Sequence, residues 1–222
     1  MSVLLFVWRG AMRFNVWLIL CVALLSPAQA ADVTVTVHDE KGSPIEGAVV
    51  LISSPNVSVN PAEVPVSIDQ VNREFEPFLS IVPLGTRITF PNSDNIRHHV
   101  YSFSKAKRFE IPLYGGGAVV PGIVVDQPGV IALGCNVHDW MRAYVVVADT
   151  PYTAQSNTRG IAVVSLPEGQ YTLHVWHPDY RDDESMTVPI SVAATGATQK
   201  FTLADQPRWR AWRSPSAFED DY

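Results

Sequence analysis

Cysteine is scarce in this 222-residue chain, with only Cys21 and Cys135 present. Cys21 sits inside an N-terminal export signal: Arg9 and Arg13, the apolar run Phe14 to Leu25, then the small-x-small ending Ala28-Gln-Ala30. The apolar run is too short for a comfortable membrane span, which counts against a stable membrane anchor. Leu20 precedes Cys21 where a lipoprotein signal needs a small residue, so no lipid anchor is expected either. Cleavage after Ala30 leaves one cysteine and excludes an intramolecular disulfide. An unpaired thiol exported to an oxidising compartment, here the periplasm, needs protection or a ligand. Positive charge is also short. The signal takes two arginines and no acid, leaving 14 basic against 22 acidic side chains and a net charge of −8. Nucleic acid is therefore a poor partner. No convincing amphipathic helix appears, and the triple glycine Gly115–Gly117 lacks the Lys-Ser/Thr and helix of a phosphate-binding loop.

What remains is β pattern and turns. Val33 to Val37 alternates, Asp39 to Pro44 is a turn, and Ile45 to Ile52 is a second apolar strand. Residues 54–66, rich in Pro, Asn and Ser, read as a linker and a domain boundary. Short strands resume at Val66–Ile68, Phe78–Val82 and Gly85–Phe90, and again at Val130–Leu133 and Ala143–Val147, with turn signals between them. This is the pattern of a sandwich or barrel.

One loop concentrates chemistry. Gly134-Cys-Asn-Val-His-Asp-Trp-Met141 holds a thiolate, an imidazole and a thioether donor, Cys135, His138 and Met141, between two strand-like runs. Soft S and N donors select copper or zinc, and two His plus one Cys with a weak axial Met is the donor set of a blue-copper centre. A second histidine must come from elsewhere, and the His98-His99 pair offers two candidates. Each donor taken alone reads more simply as core or turn: a small buried thiol, a turn imidazole, a thioether filling space. Together, in a mature chain with only two methionines, they point to a metal site. His174 and His177 lie three apart in a strand pattern, where they face opposite sides, and His38 reads as surface. Lys105, Lys107 and Arg108 form a basic run, usually a solvated face and alternatively a docking patch for an acidic redox partner.

Two family resemblances follow. Phe90-x-Asn92-x5-His98, a Pro-Gly turn, and a strand into Cys135-x2-His138-x2-Met141 resemble the cupredoxins over residues 64–148, the short loop most closely the amicyanin-like members, since plastocyanin-like loops have more residues before the Met. The resemblance implies one type 1 copper ion bound by His98, Cys135, His138 and Met141, and selects His98 over His99 by its interval from Asn92. Those relatives often carry Asn where this chain has His99, which leaves a cross-loop hydrogen bond open. Asp39-x2-Gly-x-Pro-x2-Gly-Ala48 and, after Leu166-Pro167, Gly169-x-Tyr-x-Leu173 resemble the two halves of a carboxypeptidase-regulatory-like β-sandwich. The implied fold class is all-β: a cupredoxin Greek-key sandwich, residues 60–148, inserted in a second small Ig-like sandwich, residues 32–55 and 149–204, with a tail over 205–222. Insertion is tolerated because loop-closure entropy rises slowly with length.

The expected function is a periplasmic blue-copper protein passing single electrons between redox partners, and not an enzyme. A multicopper oxidase would need His-x-His pairs, and none is present. The alternatives are copper storage or delivery, which the absence of Met-rich or repeated His tracts disfavours, and a carbohydrate- or protein-binding host sandwich with an accessory copper domain.

Overall fold

The structure is a computed structural model that describes residues 30–59, 65–180 and 186–204. The expected export signal, apart from Ala30, and the expected tail 205–222 lie outside the described residues, as do positions 60–64 of the linker. Seventeen strands and no α-helix make up the described residues. The chain opens with β1 (Ala30–Asp39) and β2 (Val49–Ser53), then β3 (Pro65–Ser67), β4 (Asp69–Val71), β5 (Glu74–Glu76), β6 (Leu79–Pro83) and β7 (Arg87–Thr89). There follow β8 (His98–Phe103), β9 (Arg108–Tyr114), β10 (Ile123–Val124), β11 (Gly129–Gly134) and β12 (Arg142–Ala148). The last five are β13 (Tyr152–Gln155), β14 (Ile161–Pro167), β15 (Gly169–Trp176), β16 (Thr187–Val192) and β17 (Ala197–Leu203).

The first strand shows why these residues form sheets. Val33, Val35 and Val37 are fully buried while the residues between them are not, the period of two that puts alternate side chains on one face. The sheet β14-β1-β17 thereby faces the sheet β13-β2-β15-β16 across a core of Val35, Ile52, Leu166, Leu173 and Phe201. A second core, with Phe90, Val100, Ile131, Leu133 and Val145, lies between the five-stranded sheet β6-β12-β11-β8-β9 and the three-stranded sheet β10-β7-β3. Every described residue of the first core falls in 31–52 or 162–203, and every one of the second in 68–147. The apolar stretch expected as a strand over Ile45 to Ile52 is strand only from Val49, because Gly47 takes a left-handed φ of 84° and turns the chain first.

The unbroken apolar runs have a specific cause. Val145 and Val147 of β12 point into the second core, and Val146 between them points the other way, onto Val49 and Trp176 of the sheet β13-β2-β15-β16. Val50 and Ile52 of β2 likewise face the first core while Val49 faces Val146. Both strands are buried on both faces, so both read as continuous rather than alternating hydrophobic runs. Trp176, 2% exposed, fills this third cluster, with its ring 5.5 Å from Tyr144. Truncating it removes a large buried side chain that nothing nearby can replace. Trp176→Ala should lower stability by about 3–5 kcal/mol in denaturant titration. An unchanged midpoint would show that the two sandwiches do not depend on this contact.

Candidate metal centre

Strand pairing builds the site. β11 and β12 are antiparallel neighbours whose last pair is Gly134↔Arg142, so Cys135 to Met141 is the loop of a hairpin closed by ladder bonds at its mouth. Inside it, Met141 N donates to the His138 carbonyl at 3.0 Å, tightening the turn. On the other side of β11 lies β8, also antiparallel, with Tyr101 opposite Gly134. The start of β8 is therefore beside the end of β11. That is where His98 and Cys135 meet, 37 residues apart in sequence. The close approach requires Gly134, because a Cβ there would stand 2.7 Å from the Tyr101 ring.

His98 Nδ1 and His138 Nδ1 each lie 4.0 Å from Cys135 Sγ, and the three donor atoms are within 4.8 Å of one another. Among the described residues no other group of three His, Cys or acidic side chains is so disposed. Met141, 1% exposed, is buried in the same core cluster as Cys135, which is 3% exposed. His98 is fully buried, and its ring lies 5.0 Å from that of His138, which is only half-buried.

Neighbouring strand residues point to opposite faces, so His98 and His99 cannot both face the sulfur. The His99 side chain turns toward β9, its Nε2 3.0 Å from Glu110 Oε1. Its backbone N–H, by contrast, favours the Cys135 thiolate, as do those of Val137 and His138. Asn92 organises the loop before His98: its Nδ2 donates to the carbonyls of Ile96 and Tyr114 at 2.9 and 3.0 Å, and its Oδ1 accepts from Asp94 N at 3.0 Å. The triple glycine, read from sequence only as a flexible turn, has a packing role here. Gly116 sits against the backbone of this loop, where a Cβ would be 2.9 Å from the Asp94 carbonyl.

The electrostatics suit a thiolate. Burial pushes the Cys135 thiol up, but the His98 hydrogen bond and the three backbone N–H groups outweigh it and hold the pKa below the ordinary 9.0. Burial pulls His98 down, yet Cys135 and then Asp94 reverse this, leaving it above 6.5. His138 is lowered by burial first, then by the charges of His98 and Arg73, which keeps its imidazole neutral as a metal donor must be. Tyr114, opposite His98 across the ladder, is pushed up to about 12 chiefly by burial, and donates to the Phe90 carbonyl at 2.7 Å.

The remaining sequence candidates are placed elsewhere. His174 Nδ1 pairs with Thr187 Oγ1 at 2.8 Å, and His177 Nε2 with the Glu46 carbonyl at 3.0 Å, so they share no site. His38, expected at the surface, is half-buried by its bridge to Pro44. In the basic run, Lys107 is paired with Asp126 at 2.8 Å and Arg108 lies over the Phe103 ring, so only Lys105 has the character of a simple solvated charge. Sequence reasoning missed Asp94. Its Oδ2 is 2.6 Å from His98 Nε2, and the only sequence signal was an acid four residues before a candidate ligand.

No family model matches the chain, and no curated protein does. Solved structures do match. A Cu-containing nitrite reductase (NirK) from Thermus scotoductus SA-01 is 25% identical over 38% of this chain, with a TM-score of 0.36. The chain spans 22% of that reductase's length. A variant of amicyanin in its reduced Cu(I) form is 21% identical over 44% of this chain and 97% of its own, with a TM-score of 0.35. A purple cupredoxin from Nitrosopumilus maritimus is 23% identical over 37% of this chain and 98% of its own, with a TM-score of 0.33. The functional conclusion rests on the geometry of the site itself.

In the metal-free protein, the Cys135 thiolate should titrate below 9.0 when followed by its ultraviolet absorbance. Since His98 makes the largest lowering contribution, His98→Ala should move that midpoint upward. The sign for stability follows. A depressed thiol pKa contributes stability that is present above the unfolded value and lost as pH falls through the folded one. A midpoint unmoved by His98→Ala would show that the imidazole does not act on the sulfur.

Proposed function

We propose that this chain is a type 1 copper protein that carries single electrons between redox partners in the periplasm, rather than a catalyst. One observation carries the reading. Two imidazole Nδ1 atoms and a low-pKa sulfur converge on one point from two pinned loops, with a buried Met141 in the same core cluster as Cys135. The separations fit a shared ion. Two donors each about 2.0–2.3 Å from one metal stand up to about 4 Å apart, and each sulfur–nitrogen separation here is 4.0 Å. Soft sulfur with two imidazoles and a thioether favours copper among the first-row ions. His98, Cys135 and His138 would hold the metal, with Met141 as the weak axial donor and His99 outside the set. Copper bound there supplies one-electron chemistry between Cu(I) and Cu(II).

The protein's own part is to keep the donors where they are. Closing the loop by the Gly134↔Arg142 pair and anchoring His98 at a strand start make the donor set largely preformed, which limits rearrangement when the charge changes. His138 is the only one of the three donors that reaches solvent, next to the half-exposed Val137, and so gives a partner protein its closest approach. The division of the core supports reading residues 60–148 as a copper domain inserted in a host sandwich of residues 32–55 and 149–204.

Purified mature protein mixed with Cu(II) should show an intense thiolate-to-copper band that Cys135→Ser abolishes. His98→Ala should bleach it and His99→Ala should not. A colourless, folded wild-type protein would end the reading. Retention of copper through repeated redox cycles, against a competing Cu(I) chelator, separates a carrier from a delivery protein.

A further inference from the structure

β4 and β5 form a two-residue hairpin, Val71 pairing with Glu74, and its two turn residues both have positive φ: Asn72 at 53° and Arg73 at 59°. Left-handed backbone is unfavourable for a non-glycine residue, because Cβ crowds the following carbonyl oxygen. Asparagine tolerates it through its short polar side chain, whereas arginine gains nothing locally. Strain of this kind persists where the surroundings over-determine it, and it clusters at functional sites.

The surroundings here are the two ligand loops. Asn72 N donates to Asp94 Oδ1 at 2.6 Å and Arg73 N to Asp94 Oδ2 at 2.9 Å. Asp94 Oδ2 in turn lies 2.6 Å from His98 Nε2, with the His98 side chain fully buried and that of Asp94 12% exposed. On its other side, the same turn presents the Arg73 carbonyl, which accepts from Trp140 Nε1 at 3.2 Å. The Trp140 ring stands 5.2 Å from His138. One peptide turn therefore reaches one histidine donor through its N–H groups and the other through its C=O. The hairpin is itself fastened to the His98 loop: Gln70 N donates to the Pro91 carbonyl at 3.2 Å, Ser93 N to the Gln70 carbonyl at 3.0 Å, and Ser93 Oγ to Asp69 Oδ2 at 2.6 Å.

We propose that the Asn72–Arg73 turn is a clasp that positions both histidine donors, with Asp94 as the positioning residue for His98 and Trp140 for His138. The proposal takes the metal reading above as its frame. Both oxygens of Asp94 already accept backbone N–H groups, so the carboxylate meets Nε2 as an acceptor and the imidazole is the donor. The proton of neutral His98 is thereby held on Nε2, and the lone pair of Nδ1 faces Cys135. A carboxylate behind a histidine ligand fixes ring and tautomer and makes the imidazole a better donor. The left-handed backbone is what turns two successive N–H groups toward one carboxylate.

Asp94→Asn keeps the shape but replaces one acceptor oxygen with an amide that must point a donor at a donor. Nitrogen NMR of the metal-free protein, at a pH above the His98 titration, should show the Nε2–H tautomer in wild type and a mixture in Asp94→Asn. Copper affinity, by chelator competition, should fall about 10–100-fold in Asp94→Asn. Trp140→Phe, which keeps the ring but loses its N–H, should weaken affinity by less. The double variant Asn72→Gly/Arg73→Gly retains both N–H groups and the positive φ, and should match wild type in the His98 tautomer. The clasp is overturned if Asp94→Asn leaves the tautomer unchanged, or if the double glycine variant shows the same tautomer mixture as Asp94→Asn. Should Asp94→Asn fail to fold by circular dichroism, Trp140→Phe decides, and wild-type affinity there overturns the two-sided clasp. A wild-type protein that binds no copper ends the metal reading alone, because the tautomer measurement needs no metal.

Discussion

The meeting of two imidazoles with the buried sulfur of Cys135 sets the terms for the rest of this molecule. His98 Nδ1 and His138 Nδ1 each lie 4.0 Å from Sγ, the first carried by β8 and the second by the sulfur's own loop. The three donors stay together only if β8 and the β11–β12 hairpin keep their register. That register depends on Gly134, whose missing side chain admits the Tyr101 ring of the neighbouring strand. A slip by one residue would turn every strand side chain to the other face. His99 would then face the sulfur in place of His98, and Glu110 would lose its partner.

Around that centre the sheets are arranged to be rigid. The five-stranded sheet, with His98, Cys135, His138 and Met141 at one end, is covered on one face by the three-stranded sheet and, over part of the other, by Val49 and Trp176 packed on Val146. Interiors packed to crystal-like density transmit strain rather than absorb it. The consequence for a redox site is that the donors have little freedom to rearrange. Flexibility is left to the one donor at the surface, His138, and there the indole of Trp140 lies alongside.

How much could be read in advance varied with distance along the chain. The Cys-x2-His-x2-Met loop was legible because its donors are local: a hairpin loop of seven residues must bring them near one another whatever else happens. The β character of the valine-rich runs was legible from side-chain type, and so was the poor fit of His174 and His177 to a shared metal. His98 was legible only through its interval from Asn92, since composition treats His98 and His99 alike. What was not legible was Asp94 and the β4–β5 hairpin. An Asp in a polar loop looks like any turn residue, and Val-Asn-Arg-Glu carries no glycine to announce a left-handed turn. The lone thiol, the acid and the two turn amides become one network only when residues 72, 94, 98 and 135 are neighbours in space.

The sequence by itself determined the all-β class and the donor-rich loop, because each follows from residue type and short-range spacing. Only the tertiary structure decided which of two adjacent histidines meets the sulfur, since the alternation of a strand fixes opposite faces but not which face is the site. It also decided that the backbone of a distant hairpin, strained at Asn72 and Arg73, backs the donors. A main-chain N–H that donates to an acid 22 residues away leaves no mark on the identity of its own side chain, and so the residues of the turn could not have shown it.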